Sequence, residues 1–330
     1  MPHILAENFY AAAQRYNRPA MNTATPQAPA IASHWPLQTL NTFGIAATAR
    51  AYLRVSSAAD LQAVRANPAL SALPRLVLGG GSNIVWSADF DGLVLHLVNQ
   101  GKMIVSEDDT HIVVRAQAGE NWHEFVQWTL VQNLPGLENL SLIPGSVGAA
   151  PIQNIGAYGS ELNSLVARVR VFDRKLGEIR TFAAADCGFG YRTSLFKKEV
   201  DRYAVLEVTL QLRVGEMSNE IAYAELTAEL GIELGGRASV STVRKAVLAI
   251  RTRKGMVLDE VDTDTWSVGS FFINPTLPAS KIPNGAPAWE QEDGLVKTSA
   301  AWLIENSGTT KGERFGNAAV SSKHVLALTN

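Results

Sequence analysis

Apolar positions in this chain follow helical and strand periods that alternate in no fixed order. Val243, Ala246, Val247 and Ile250 stand at i, i+3, i+4 and i+7, which predicts an amphipathic helix over Ser241–Arg253. Its last turns are rich in Arg and Lys, as suits the negative end of a helix dipole. Trp122, Phe125, Val126, Thr129 and Leu130 form a second helical stripe within Asn121–Leu134, stopped by Pro135-Gly136. Ser57 is placed to cap a helix carrying Leu61 and Val64 that ends at Asn67-Pro68. Strand patterning marks Arg75–Leu78, Leu93–Val98, Ile112–Ala118 and Tyr203–Arg213, while Val166–Phe172 and Glu178–Phe182 read as a hairpin. Such mixing predicts an α+β protein, not a doubly wound parallel sheet.

The first residues differ. Residues 22–33 are small, polar and proline-containing, which predicts a flexible linker, with a short helix over Ala6–Tyr16 before it. The folded body is expected to begin near Trp35. The 330 residues suffice for two or three domains, each with its own core. A net charge of -2 argues against nucleic acid or an anionic membrane as the main partner. No stretch approaches the about 18 consecutive apolar residues of a membrane span, and Met1–Asn22 lacks the apolar core of a signal peptide. A soluble protein is expected. The single cysteine, Cys187, excludes an intrachain disulfide and suits a reducing cytosol.

Two glycine-rich segments exceed ordinary turn chemistry. In Val77–Ile84 the strand runs into Gly79, Gly80, Gly81, Ser82 and Asn83. Glycines there let backbone approach a ligand, and successive N–H groups can form an anion nest, but a tight turn fits equally well. The run is neither a Walker A loop nor a GxGxxG fingerprint. The segment Pro135–Gly159 holds five glycines and three prolines and few charges. That composition makes a poor solvated loop and favours a wall along a flat apolar ligand, with Gln153 and Asn154 as hydrogen-bonding groups. A purely structural loop is the alternative.

Five motifs in order carry a family resemblance: Asn41-Thr42-Phe43-Gly44-Ile45, the Leu78–Asn83 run, Pro135–Gly159, Phe189–Lys197 and Gly269-Ser270-Phe271-Phe272-Ile273-Asn274-Pro275. Together they resemble the UDP-N-acetylenolpyruvoylglucosamine reductases, from about Leu37 to Asn330, and Arg251–Asp259 is similar to actinobacterial members. The resemblance implies a two-lobed FAD-binding fold of the p-cresol methylhydroxylase type, with lobes near 36–99 and 100–215. A smaller α+β substrate domain over 216–330 and a flexible extension over 1–35 complete the expected organisation. It further implies non-covalent FAD, NADPH as hydride donor and a UDP-sugar enolpyruvyl ether as substrate, in a cytoplasmic monomer with no metal.

By motif match, Gly79, Gly80, Gly81, Ser82 and Asn83 would hold the FAD pyrophosphate, and Ser146, Gly148, Ala149, Gln153, Asn154, Gly156 and Ala157 would run along the flavin. Arg192 matches the residue that stabilises the enolate-like intermediate, and Ser270 the proton donor. Tyr191, Tyr223, Lys254, Asn274 and His324 match substrate contacts. Read without the resemblance, Ser270 is a turn hydroxyl, Lys254 a helix-dipole partner and His324 a structural histidine. Two departures stand out. Ile273 replaces a common lysine or polar residue. Relatives also continue past the position of Asn330 into a Leu-Glu-Pro-Glu-Val-Arg motif bearing a catalytic glutamate, and no Glu-Pro-Glu occurs here, so the substrate domain is expected to be incomplete. The alternatives are another FAD oxidoreductase of this fold and a non-catalytic flavin or nucleotide-sugar binder.

Overall fold

The computed structural model describes residues 30–330 apart from 109 and 292. The helix expected over Ala6–Tyr16 lies outside the described residues.

The first lobe is a four-stranded sheet in the order β1-β2-β4-β3, built from β1 (Ile31–Pro36), β2 (Thr48–Val55), β3 (Arg75–Leu78) and β4 (Phe90–Leu97). β1 runs antiparallel to β2, whereas β2 and β3 both lie parallel to β4. Helix α1 (Ala58–Ala66) crosses over between β2 and β3, and the short α2 (Pro68–Ser71) follows it. Asp60 fixes the start of α1 by accepting the Ser57 backbone N–H at 2.9 Å. Leu61 and Val64 bury against Leu53, Leu93 and Leu95, while Leu37, Tyr52, Trp86 and Val94 form a separate apolar cluster. Both faces of this sheet are therefore covered, the usual condition of parallel strands.

β1 corrects two expectations. Ile31–Ser33 are not linker but paired strand, with Ile31 opposite Leu53 and Ser33 opposite Ala51, so the folded body starts before Trp35. The strand is exposed along most of its length, so its side chains carry no hydrophobic alternation. Backbone pairing and a flat stack of Trp35 on Tyr52, with centroids 4.5 Å apart, hold it instead.

The second lobe is a fully antiparallel sheet in the order β10-β9-β11-β6-β5. Its strands are β5 (Lys102–Glu107), β6 (His111–Gln117), β9 (Val166–Asp173), β10 (Glu178–Ala183) and β11 (Tyr203–Arg213), the last with the limits the sequence predicts. Helix α3 (Trp122–Val131), capped by Asn121, packs Trp122, Phe125 and Val126 into the lobe's core beside Val169 and Leu210. A two-residue pair, β7 (Gly156–Ala157) and β8 (Ser160–Glu161), closes the long glycine-rich segment. α4 (Leu195–Lys198) leads into β11.

After β11, α5 (Ala224–Leu230) packs on α6 (Val240–Arg253) through Leu226, Val243, Val247 and Ile250. Two three-stranded sheets finish the chain: β12 (Thr276–Leu277), β14 (Val296–Thr298) and β13 (Ala288–Glu290), then β15 (Arg314–Phe315), β16 (Ala318–Val320) and β17 (Leu328–Thr329). α7 (Ala300–Glu305) joins them. No helix among the described residues is long and apolar enough to cross a membrane.

Candidate functional site

The two glycine-rich segments form one structure. β3 ends at Leu78, and the following turn lies directly on residues 144–149. A Cβ on Gly80 would sit 2.7 Å from Gly145 Cα, and one on Gly79 would sit 2.5 Å from Ser146 Oγ. Gly81 has φ +67, and a Cβ there would lie 1.9 Å from the Leu40 carbonyl oxygen, so only glycine fits. Ser82 Oγ donates to the Pro144 carbonyl at 3.0 Å, and Asn83 Nδ2 donates to Gln153 Oε1 at 3.3 Å. What these contacts leave is a cradle of closely approaching backbone edged by short polar side chains. Its shape and chemistry fit a nucleotide pyrophosphate.

Not every residue assigned to the flavin faces outward. Gly148 is buried on Ala118, where an added Cβ would come within 2.4 Å of Ala118 Cβ, so it serves close packing. The Asn154 side chain is also fully buried. Its Nδ2 donates to Glu161 Oε2 at 2.9 Å and to the Gly190 carbonyl at 3.1 Å, while its Oδ1 accepts the Asn163 N–H at 2.9 Å. With that amide spent inside the protein, Asn154 shapes the wall instead of lining it. Ala149 is exposed, and Gln153, Gly156 and Ala157 are half-buried.

Arg192 is tied to this wall. Its Nη2 donates to the Gly156 carbonyl at 2.5 Å and its Nη1 to the Asn154 carbonyl at 3.3 Å. A tight turn in which Gly190 and Thr193 exchange backbone hydrogen bonds gives Arg192 a φ of +54. Leu142, Asn154 and Tyr158 also have positive φ, an uncommon backbone state for residues other than glycine. Such strain gathers where the surrounding structure over-determines a site. Asn139, which the sequence reading passed over, steadies the same wall by donating to the Tyr158 carbonyl at 3.0 Å and to Ser160 Oγ at 2.9 Å.

The C-terminal part closes on this edge. Lys297 Nζ of β14 stands 4.3 Å from the centre of the Tyr191 ring. Tyr223, just before α5, meets Tyr158 edge-on with ring centroids 5.6 Å apart. Behind Tyr158 lies the buried Arg251, whose Nη2 donates to the Met256 carbonyl at 2.9 Å. Burial pushes the Tyr158 phenol up to about 12, opposed in part by the Arg251 cation. Burial in turn lowers the Arg251 guanidinium, whose own attraction to Tyr158 opposes that shift.

A third group surrounds Lys254, whose Nζ donates to Glu225 Oε2 at 2.5 Å. His324 is pushed down to about 4 by burial first, then by the Lys254 and Lys311 cations. Its imidazole is therefore neutral near pH 7. Asn274 Oδ1 accepts the Ala300 N–H at 2.9 Å beside the start of α7, which leaves its amide N–H groups for other partners. Ser270 is exposed and bridges Ala327 through its backbone. Among the described residues no hydrogen bond joins Ser270 to Arg192, Lys254 or Asn274. Cys187 is buried on β10's flank with its thiol pushed up to about 12 by burial, so it is unreactive.

Comparison with known proteins shows the family and the fold. A family described as an FAD-binding domain matches residues 49–183, and one described as the C-terminal domain of UDP-N-acetylenolpyruvoylglucosamine reductase matches residues 260–330. The chain is 46% identical over 299 residues to the UDP-N-acetylenolpyruvoylglucosamine reductase of Cutibacterium acnes, covering 89% of this chain and 80% of that protein. It is 43% identical over 309 residues to that of Thermobifida fusca, covering 89% and 86%. The solved reductase structure from Thermus caldophilus shares the fold, with a TM-score of 0.61 at 22% identity over 92% of this chain and 88% of that one.

Proposed function

This chain belongs to the UDP-N-acetylenolpyruvoylglucosamine reductase family, and we propose that it reduces UDP-N-acetylglucosamine enolpyruvate to UDP-N-acetylmuramate with NADPH. The observation that carries the reading is the Arg192 guanidinium, fixed by two backbone carbonyls at the edge of the glycine cradle.

FAD, when bound, supplies the hydride-carrying chemistry between NADPH and the enolpyruvyl double bond. Gly79–Asn83 and Ser146 would hold its pyrophosphate, and Gln153, Gly156 and Ala157 would border its ring. Neither glycine-rich segment contains His or Cys, and Cys187 is buried and unreactive, which supports non-covalent binding.

Hydride addition at the substrate's methylene carbon places negative charge on its conjugated carboxylate. Arg192, already oriented before substrate arrives, meets that charge without reorganising. The neighbouring carbon then takes a proton, which the Ser270 hydroxyl supplies and regains from solvent at its exposed position. Lys254 and the free amide of Asn274 address the diphosphate and sugar, and neutral His324 offers both a donor and an acceptor. Tyr223 covers the wall beside Tyr158, and the Tyr191 ring has both Arg192 and Lys297 near it. Because NADPH and a nucleotide sugar are soluble metabolites, the reaction is placed in the cytoplasm.

The test is product formation. Beyond the one equivalent that reduces its flavin, anaerobic flavin-loaded protein should consume NADPH only when the enolpyruvyl substrate is present, with one UDP-N-acetylmuramate formed for each further NADPH consumed. Sustained NADPH consumption without that product would overturn the assignment.

A further inference from the structure

The first of the five motifs, Asn41-Thr42-Phe43-Gly44-Ile45, has no part in the chemistry above, yet its loop touches both halves of the site. The loop is stiffened from within. The buried Asn41 side chain donates through Nδ2 to the Leu37, Gln38 and Ile45 carbonyls at 2.9, 3.2 and 3.0 Å, and its Oδ1 accepts the Ile45 N–H at 3.0 Å. Gln38 Nε2 donates to the Gly44 carbonyl at 3.1 Å. On one side the loop meets the glycine cradle, where the Thr42 N–H donates to the Gly81 carbonyl at 3.3 Å.

On its other side the loop meets the segment that carries Ser270. Gly44 has φ +64, and a Cβ there would fall 2.9 Å from both Cε3 and Cζ3 of Trp266, so the indole lies directly on the glycine. The indole is held in turn, because Trp266 Nε1 donates to the Asp259 carbonyl at 3.0 Å. From Trp266 to Phe271 the chain runs beside residues 326–330. The Asn330 N–H donates to the Trp266 carbonyl at 3.3 Å, Ser270 forms a backbone bridge with Ala327, and the Phe271 N–H donates to the Leu326 carbonyl at 2.7 Å. Asn330 Nδ2 donates to the Phe43 carbonyl at 2.9 Å and fastens this pair of segments to the same loop. Among the described residues the Ser270 hydroxyl makes no hydrogen bond, so only the backbone fixes where it stands.

Resting on the assignment of Ser270 as proton donor, we propose that Trp266 is a positioning residue for the reaction. Seated on Gly44, it fixes the Ser270 segment relative to the glycine cradle, and the Asn41–Ile45 loop is the seat. The frame is continuous: Gly81 to Thr42, Gly44 to Trp266, and Trp266 to Ser270 four residues on. Glycine is required at position 44 because the indole occupies the space a Cβ would take.

The test compares the two half-reactions of flavin-loaded protein by anaerobic rapid mixing, in water and in deuterium oxide. Trp266→Ala should keep its flavin and its reduction by NADPH. Reoxidation by the enolpyruvyl substrate should slow about 10²-fold, the cost of misplacing a reacting group by roughly 1 Å. The solvent deuterium isotope effect on reoxidation should rise, because proton delivery becomes the slow step. Trp266→Phe keeps a flat ring on Gly44 and should recover most of the rate. Gly44→Ala pushes the indole from the opposite side and should reproduce the defect. Reoxidation at the wild-type rate in both Trp266→Ala and Gly44→Ala would overturn the proposal. Equal slowing of both half-reactions with an unchanged isotope effect would also overturn it, as would loss of flavin from both variants, which would make the seat a support for the cofactor alone. A wild-type protein that the substrate cannot reoxidise at all would instead sink the assignment of the reaction.

Discussion

Arg192 donates to the Gly156 carbonyl at 2.5 Å, so the guanidinium proposed to meet developing negative charge is held by the backbone of the wall proposed for the flavin. Arg192 also takes φ +54, a state it owes to the turn between Gly190 and Thr193. The cation is therefore positioned by the wall, through the Asn154 and Gly156 carbonyls.

Arg192→Ala should leave flavin bound and its reduction by NADPH little changed. Reoxidation by the enolpyruvyl substrate should slow by about 10²–10³, the usual cost of losing one preorganised electrostatic contact. Arg192→Lys should recover only part of this, because a lysine lacks the fork that spans both carbonyls. Rapid-mixing measurement of the two half-reactions separates the outcomes, and equal slowing of both would indicate a general loss of structure.

Gly81→Ala should abolish stable flavin binding. Its Cβ would lie 1.9 Å from a backbone oxygen, and φ +67 adds strain of about 1–3 kcal/mol. Gly79→Ala meets only the Ser146 hydroxyl, which can rotate away, so it should be milder. The ratio of flavin to protein absorbance after purification checks both.

The strongest periodicities were readable without the structure: α6, α3, the Leu61–Val64 helix and β11 all bury an apolar stripe. β1 was not, because its exposed side chains obey no alternation and only its pairing with β2 defines it. β2 and β5 also went unmarked. β2 buries Ala49, Ala51, Leu53 and Val55 on one face while Arg50 and Arg54 stay exposed on the other, and its small alanines weaken the apolar signal; β5 is half-exposed and set by its register with β6. The glycines of the cradle were legible from composition, but their lock onto Gly145 and Ser146 is a long-range contact that no local pattern encodes. For the same reason Gly148 and Asn154 were read as ligand contacts when their atoms are spent on Ala118, Glu161 and Asn163. Lys297 lies in a three-residue strand without a motif, and Arg251 read as a helix-dipole partner although it is buried behind Tyr158.

Tyr223→Ala should raise KM for the UDP-sugar about 2- to 10-fold with a smaller effect on kcat, because it removes an edge-on aromatic partner of Tyr158 worth about 0.5–1.5 kcal/mol. Tyr223→Phe keeps the ring and should stay near wild type. A Phe variant as impaired as the Ala variant would move the role to the phenol hydroxyl.

His324 should make the protein acid-sensitive. Its folded value of about 4 lies below the ordinary 6.5, so between those pH values the unfolded chain binds a proton that the folded chain does not. Stability then falls as pH drops from 6.5 towards 4. His324→Gln should relieve about 1–2 kcal/mol of this loss, a figure reduced for solvent screening at a partly exposed ring. Denaturant unfolding at pH 7 and pH 4.5 checks it: the variant should lose less stability across that interval than wild type.

The most direct measurement is an anaerobic two-step mixing experiment on flavin-loaded protein. NADPH should bleach the flavin absorbance, and UDP-N-acetylglucosamine enolpyruvate added next should restore it with formation of UDP-N-acetylmuramate. A flavin that NADPH reduces but that stays reduced with saturating enolpyruvyl substrate would contradict the proposed reaction.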